Sequence, residues 1–208
     1  YSTKALSVAR KLNIPCILVT HAPFLEKKLR NWKLNLAVFL YDHIMGKGIL
    51  NKYERVIAIT KWEIPYLLKL GCKSDKIVYV PNGIPDEFFN QKKEKEQNKI
   101  LFLGRVAPIK NLETLIKAFN LVKDKSMVLE FIGPCENDYL LRLNLLVDRL
   151  QLKDRILFSK PVYNLKEKIK RIDSAKIFVL PSKREAMPQA LIEAMARGKI
   201  VISSNTEG

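Results

Sequence analysis

Leu101-Phe102-Leu103-Gly104-Arg105-Val106-Ala107-Pro108-Ile109-Lys110-Asn111 is the stretch on which the fold turns. The apolar run ending at Leu103 reads as a strand, Gly104 to Lys110 as a loop, and Asn111 as the cap of a helix starting at Leu112. Strand, loop and helix in that order form the unit of a parallel α/β sheet, where ligands gather beyond the carboxyl ends of the strands. Gly104 lets backbone approach a ligand closely. Arg105 can fork two bonds to a phosphate, and Lys110 adds a mobile positive charge. The next helix offers open N–H groups and the positive end of its dipole. The stretch is therefore a candidate diphosphate cradle. It is neither a P-loop nor a G-x-G-x-x-G fingerprint, which disfavours ATP and NAD. Alone, Arg105 and Lys110 also read as ordinary surface charges.

The same pattern recurs from Val179 to Gly198, where a strand runs through a loop into a helix opened by Pro188. Glu185 lies on that loop and Glu193 about one and a half turns into the helix. Leu191, Ile192, Ala194, Met195 and Ala196 make the helix apolar nearly all round, which predicts burial. A buried carboxylate needs partners, and the hydroxyls of a sugar or ribose suit it. An ion pair with Arg197, four residues on, is the competing explanation for Glu193.

Outward from these two stretches, short β-rich runs alternate with helical patterns. Strands are expected at Ile14–Thr20, Arg55–Ile59, Ile77–Val80, Lys99–Leu103, Val128–Ile132, Ile156–Phe158, Ile177–Leu180 and Ile200–Ser203. Helices are expected near 2–12, 32–50, 61–70, 111–123, 137–150, 164–173 and 188–197. Thr60 with Glu63 reads as a capping box, and Gly71 as the stop of that helix. The pattern breaks after Pro81-Asn82-Gly83, where Gln91 to Lys99 is polar and without apolar periodicity. Residues 1–82 are expected to form the later part of one α/β domain, 83–98 a linker, and 99–208 most of a second domain. The chain opens inside an amphipathic helix pattern and stops just after a strand, so a fragment with both domains incomplete is expected.

With 48% hydrophobic and 28% charged residues, the chain has the composition of a globular protein with a real core. The net charge of +16 favours phosphate-bearing ligands, anionic membrane or nucleic acid. Residues 1–83 hold 14 Lys/Arg against 5 Asp/Glu, so the excess is densest there. No helix-turn-helix, zinc or RNA-binding signature accompanies it, and nucleic acid is not expected as a partner. Cys16, Cys72 and Cys135 are widely spaced, which supports neither a zinc site nor a redox pair and fits a reducing cytoplasm. No apolar run reaches the roughly 18 residues of a membrane span.

The Gly-Arg-x4-Lys-Asn loop (Gly104 to Asn111), the Glu-x7-Glu pair (Glu185 and Glu193) and the Glu-Ala-Met-Ala-x-Gly helix (Glu193 to Gly198) resemble the family 4 glycosyltransferases. Val80-Pro81-Asn82-Gly83-Ile84 resembles that family's interdomain segment, and Ile57 to Gly71 the last strand–helix unit of its first domain. The motifs occur in the family's order and cover essentially the whole chain. The resemblance implies a GT-B-like pair of Rossmann-like domains with parallel sheets. It implies a retaining transfer of a hexose from a nucleotide diphosphate sugar to a hydroxyl of a glycan or lipid-linked acceptor, as in polysaccharide biosynthesis. A non-catalytic nucleotide-sugar-binding module is the alternative. By the same resemblance Gly104, Arg105 and Lys110 hold the donor diphosphate, and Glu193 takes the ribose hydroxyls. Glu185, the candidate catalytic residue of the second domain, contacts the donor sugar hydroxyls and helps position the anomeric carbon, and backbone N–H groups from Ala186 and Met187 to Gln189 reach sugar or phosphate. His21, at the end of a strand in Val19-Thr20-His21, is the candidate catalytic residue of the first domain. His43 is expected to be structural. No Asp-x-Asp motif is present, so no metal and no obligatory cofactor are expected. The basic amphipathic segment Phe24 to Leu50 reads either as a helix packed on its sheet or as a dock for anionic lipid. The expected location is the cytoplasm, with peripheral attachment to the membrane face kept open. Ala186 stands where family members commonly carry glycine, and Lys199 where many carry proline.

Overall fold

Two parallel sheets organise the chain in the computed structural model, which describes residues 2–21, 32–40, 48–90 and 94–206. The chain divides into two compact units, 1–82 and 83–207.

The first unit contains α1 (Ser2–Lys11), β1 (Ile17–Val19), α2 (Trp32–Leu40), β2 (Arg55–Ala58), α3 (Glu63–Lys69) and β3 (Ile77–Tyr79). The strands pair in the order β1-β2-β3. Its core is small: Leu6, Tyr53, Val56, Ala58, Leu67 and Cys72. The first strand is shorter than the apolar run Ile14–Thr20 suggests. Asn13 takes a left-handed conformation, and the Ile14 N–H donates to the Ala9 carbonyl at 2.8 Å, so Ile14 finishes α1. At α3 only half of the expected capping box forms. Glu63 Oε2 accepts from the N–H groups of Ile59 (2.9 Å) and Thr60 (3.1 Å), while the Thr60 hydroxyl makes no cap bond. Gly71 ends the helix with φ at +82°, a conformation costly for residues with a Cβ. Of the segment Phe24 to Leu50, residues 24–31 and 41–47, with His43, lie outside the described residues.

The second unit contains β4 (Lys99–Leu103), α4 (Leu112–Asn120), β5 (Val128–Ile132), α5 (Asn137–Arg149), β6 (Ile156–Ser159), α6 (Leu165–Asp173), β7 (Ile177–Leu180), α7 (Gln189–Ala196) and β8 (Ile200–Ser203). Its sheet order is β6-β5-β4-β7-β8, all parallel. The chain winds outward from β4 on one side, then returns to build β7 and β8 on the other. Each helix supplies an apolar stripe. Leu112, Leu115, Ile116 and Phe119 of α4 are buried at the spacing of one helical face. Phe102, Phe131 and Phe158 lie side by side on neighbouring strands, with ring centroids 5.9 and 5.0 Å apart. Such cross-strand aromatic pairs stabilise a sheet beyond their buried area.

The expectation of a linker over 83–98 is corrected here. Residues 83–90 and 94–98 are built into the second unit: Phe88 is fully buried, and the Gln97 N–H donates to the Ser174 carbonyl at 2.9 Å. The fully buried Arg197 binds the Phe88 carbonyl at 3.1 Å and also the Asn90 carbonyl. The side chains of Glu94 to Asn98 are nevertheless exposed, which is why the stretch is polar.

Glu130 is a charged residue in the middle of β5 with 2% exposure. Its Oε1 accepts from the Ser159 hydroxyl (2.6 Å) and Arg171 (3.1 Å), and Oε2 lies 2.9 Å from Lys99 Nζ. Burial pushes its pKa up, but Ser159 and Lys99 outweigh that and hold it below the usual carboxylate range. A lowered folded pKa gives stability that is present above the unfolded value of about 4.3 and is lost as pH falls through the folded value. Glu130→Gln should therefore cost roughly 3 kcal/mol at neutral pH, because Lys99 and Arg171 lose their counter-charge. Urea melts at pH 7 and pH 4 should show the gap to wild type narrowing with acid. An equal gap at both pH values would contradict this account.

Candidate functional site

β4 and β7 are adjacent at the point where the strand order turns back, with Ile100 opposite Ile177 and Leu101 opposite Phe178. Loops leaving the carboxyl ends of two such strands diverge and leave a crevice between them. The two stretches singled out by sequence are those loops. A hydrogen bond from the Lys183 N–H to the Ile109 carbonyl, 2.9 Å, ties them together.

Across this crevice Lys110 Nζ meets Glu185 Oε1 at 2.6 Å, 75 residues away in sequence. Both side chains are largely buried, at 18% and 12% exposure, so their charges are only partly screened by water. Lys110 ends a 3-10 turn over Pro108–Lys110. Arg105 stands apart from that pair. Its side chain is 61% exposed, with Glu136 at 3.5 Å, a geometry worth little to stability and open to exchange for another anion.

Gly104 sits where β4 and β5 end together, and its N–H donates to the Ile132 carbonyl at 2.9 Å. A Cβ on the neighbouring Gly133 would lie 2.0 Å from the Gly104 carbonyl oxygen. The loop after β4 thus rests directly on the loop after β5. Val106 donates to Pro134 at 2.8 Å, and Glu136 to Val106 at 3.0 Å.

Two expectations about helix ends are corrected. The start of α4 is not an open row of donors. The Leu112 N–H donates to the Tyr139 hydroxyl of α5 at 3.0 Å, and that hydroxyl donates in turn to Glu113. Burial and the Glu113 carboxylate push the Tyr139 phenol well above its ordinary pKa, so it stays a donor. Asn111 precedes α4 in a left-handed conformation, with its side chain accepting from the Thr114 hydroxyl at 3.0 Å. At α7, Pro188 has no N–H, and the Gln189 N–H is committed to the Met187 carbonyl at 3.0 Å. The expected run of backbone donors from Ala186 to Gln189 is thereby shortened at its end, and Ala186 and Met187 are both half-buried.

Glu193 is 5% exposed on α7, but its helix is not buried all round, since Met195 is 57% exposed. The Arg197 partnership does not form. The Arg197 guanidinium is held bidentately by Asp173 of α6, with both bonds 2.7 Å. Glu193 Oε1 instead lies 2.6 Å from Lys168 Nζ, also of α6. Glu193 Oε2 is buried with no hydrogen-bond partner among the described residues. Lys168 and Tyr139 were missed in the sequence because nothing in local spacing points α6 or α5 at these loops. The amphipathic pattern of each helix was the available signal, and it marks only which face is covered.

His21 is exposed and lies two residues past the end of β1; Thr20 between them is anchored to the Ile57 carbonyl by both its N–H (2.9 Å) and its hydroxyl (3.0 Å). It belongs to the first unit. Among the described residues, no helix is long and apolar enough to cross a membrane.

Comparison with known proteins covers both units. Residues 83–208 match the family of glycosyl transferases group 1, and residues 2–88 match glycosyltransferase family 4. The chain is 33% identical over 219 residues to an Escherichia coli UDP-Gal:alpha-D-GlcNAc-diphosphoundecaprenol alpha-1,3-galactosyltransferase, covering 96% of this chain and 54% of that protein. It is 30% identical over 215 residues to the amylovoran biosynthesis glycosyltransferase AmsK of Erwinia amylovora, covering 90% of this chain and 52% of that protein. The chain thus spans about half the length of these relatives. In three dimensions it is similar to HepE of Anabaena, solved in complex with UDP-glucose, with a TM-score of 0.77 at 16% identity over 99% of this chain and 57% of that one. That likeness bears on the fold alone. The family matches, the order of the two units and the parallel sheets agree, and this chain belongs to the family 4 glycosyltransferases of the group 1 type, with the GT-B fold.

Proposed function

We propose that the second unit binds a nucleotide diphosphate sugar and that the whole protein is a retaining glycosyltransferase, moving a hexose to a hydroxyl of a glycan or lipid-linked acceptor. The observation that carries this reading is the Lys110–Glu185 contact of 2.6 Å, a cation for the diphosphate and a carboxylate for the sugar placed side by side. Breaking the bond between the sugar and the diphosphate leaves extra negative charge on the departing phosphate. Lys110 and Arg105 stabilise that charge, at low reorganisation cost because Lys110 is already held in place. Glu185 accepts hydrogen bonds from sugar hydroxyls and so orients the anomeric carbon. Glu193 takes the ribose hydroxyls, Gly104 lets the loop backbone run close to the donor, and the segment of Ala186 and Met187 faces the sugar or phosphate. His21 is proposed as the contribution of the first unit. No metal and no cofactor has a part in this scheme. The excess of positive charge before residue 84 supports contact with an anionic membrane surface. So do Trp32, Leu36 and Phe39, exposed at helical spacing on α2.

Calorimetric titration with UDP, GDP and ADP tests the donor half. Lys110→Met should weaken the preferred nucleoside diphosphate about tenfold or more, as loss of a charge-assisted hydrogen bond predicts, and leave the parent nucleoside unchanged. Glu185→Gln should keep diphosphate affinity within about twofold yet lower sugar transfer by the whole protein about a hundredfold. Unchanged diphosphate affinity in Lys110→Met would remove the cradle from the scheme. Donor binding with no transfer or hydrolysis in the whole protein would favour a non-catalytic binding module.

A further inference from the structure

Glu193 and Lys168 meet in an arrangement with more consequences than an ion pair. Removing a carboxylate from water is expensive unless a counter-charge is close. The cation nearest in sequence, Arg197, is occupied by Asp173 and by the carbonyls of Phe88 and Asn90. Lys168 fills that place from another helix, 25 residues earlier. Its ammonium also lies 5.7 Å from the ring centroid of the fully buried Phe88. With Glu193 on one side and an aromatic face on the other, the lysine head group has a defined position. An ionised carboxylate has about four acceptor positions on its two oxygens. Lys168 takes one on Oε1, while Oε2 has no partner among the described residues. The charge is thus neutralised, the rotamer is set, and acceptor capacity remains for a ligand with two neighbouring hydroxyls.

We propose that Lys168 is the positioning residue for Glu193 and thereby sets the preference of this site for a ribonucleotide over a deoxyribonucleotide donor. The proposal rests on the reading of Glu193 as the ribose ligand. Without Lys168 the carboxylate loses its counter-charge and its fixed orientation, and it turns to whatever solvent or donor is near. Contacts to the diphosphate and the base are untouched, so the loss falls on the diol alone.

The test is titration calorimetry of the chain with UDP and GDP, each against its 2′,3′-dideoxy counterpart, so that the ratio of the two affinities reports the diol contact. Wild type should favour the ribose form about tenfold or more, the worth of one or two hydrogen bonds to a charged group. Glu193→Gln should bring the ratio close to one. Lys168→Met should lower it at least about fivefold while dideoxy binding stays within about twofold, and Lys168→Arg should retain most of it. If Lys168→Met does not fold, Lys168→Gln takes its place, with the same fall expected. A wild-type ratio in the folded lysine variant overturns the role of Lys168 and leaves Glu193 standing. A wild-type ratio in Glu193→Gln overturns the ribose reading itself.

Discussion

Replacing Gly133 with alanine is expected to destabilise the second unit by roughly 3 kcal/mol or more and to abolish measurable nucleoside diphosphate binding. The added Cβ would sit 2.0 Å from the Gly104 carbonyl oxygen and 2.7 Å from its carbonyl carbon. Neither is the end of a flexible side chain. Both are main-chain atoms at the end of a central strand, so the loop beginning at Gly104 has to move away. Arg105 and Lys110 ride on that loop, and small displacements of charged groups cost binding steeply. The conformation adds to the penalty, because Gly133 has φ at +151°, which a residue with a Cβ seldom adopts. For a unit of this size the loss corresponds to a fall in Tm of about 10 °C. Gly83→Ala is the matched control, since nothing lies within 4 Å of the position its Cβ would occupy. Equal melting temperatures for Gly133→Ala and Gly83→Ala would sink the steric argument.

Arg197→Met should be as damaging, by a different route. Arg197 is 1% exposed, and Asp173, its bidentate partner, is also 1% exposed. Truncating the guanidinium leaves a buried carboxylate without its cation and strips a donor from the carbonyls of Phe88 and Asn90. Breaking a buried pair from one side costs about 3–5 kcal/mol. The loss should have an address: amides of residues 86–90 should exchange with deuterium faster, because Arg197 holds that turn against α7. Replacing both partners, as Arg197→Met with Asp173→Leu, should recover much of the stability by removing the stranded charge, but not the slow exchange of residues 86–90. If the single variant is as stable as wild type in urea, Arg197 is not the clasp described here. Lys199 works beside it, 7% exposed, with Nζ 2.6 Å from the Asp173 carbonyl and 2.8 Å from Glu96. The residue that stands where many relatives carry proline is thus a buried cation spanning two parts of the second unit.

The sequence alone determined the strands of the second sheet and their helices, and it marked the two loops proposed to hold the donor. Lys99–Leu103, Val128–Ile132, Ile177–Leu180 and Ile200–Ser203 read as strands and are strands to the residue. Runs rich in Val, Ile, Leu and Phe between turn residues are a local signal, and burial on both faces of a parallel sheet reinforces it. The alternation of such runs with helical patterns is enough for a parallel α/β fold; Gly104, Lys110 and Glu185 stand out because they lie on loops that follow strands, and Glu193 because it is a carboxylate on a largely apolar helix. Partner choice was beyond local reading. The spacing of Glu193 and Arg197 is that of a helical ion pair, yet each bonds to α6, through Lys168 and Asp173. The Asn111 position is that of a cap, yet Tyr139 from α5 covers the start of α4. Residues 83–98 have the composition of a linker, yet Arg197 binds Phe88 and Asn90, and Lys199 binds Glu96, within the second unit. Local pattern states which residues are apolar and which can begin or end a helix. Which charge neutralises which in a dry interior depends on groups 24 to 107 residues apart in sequence, and only the packed structure brings them together.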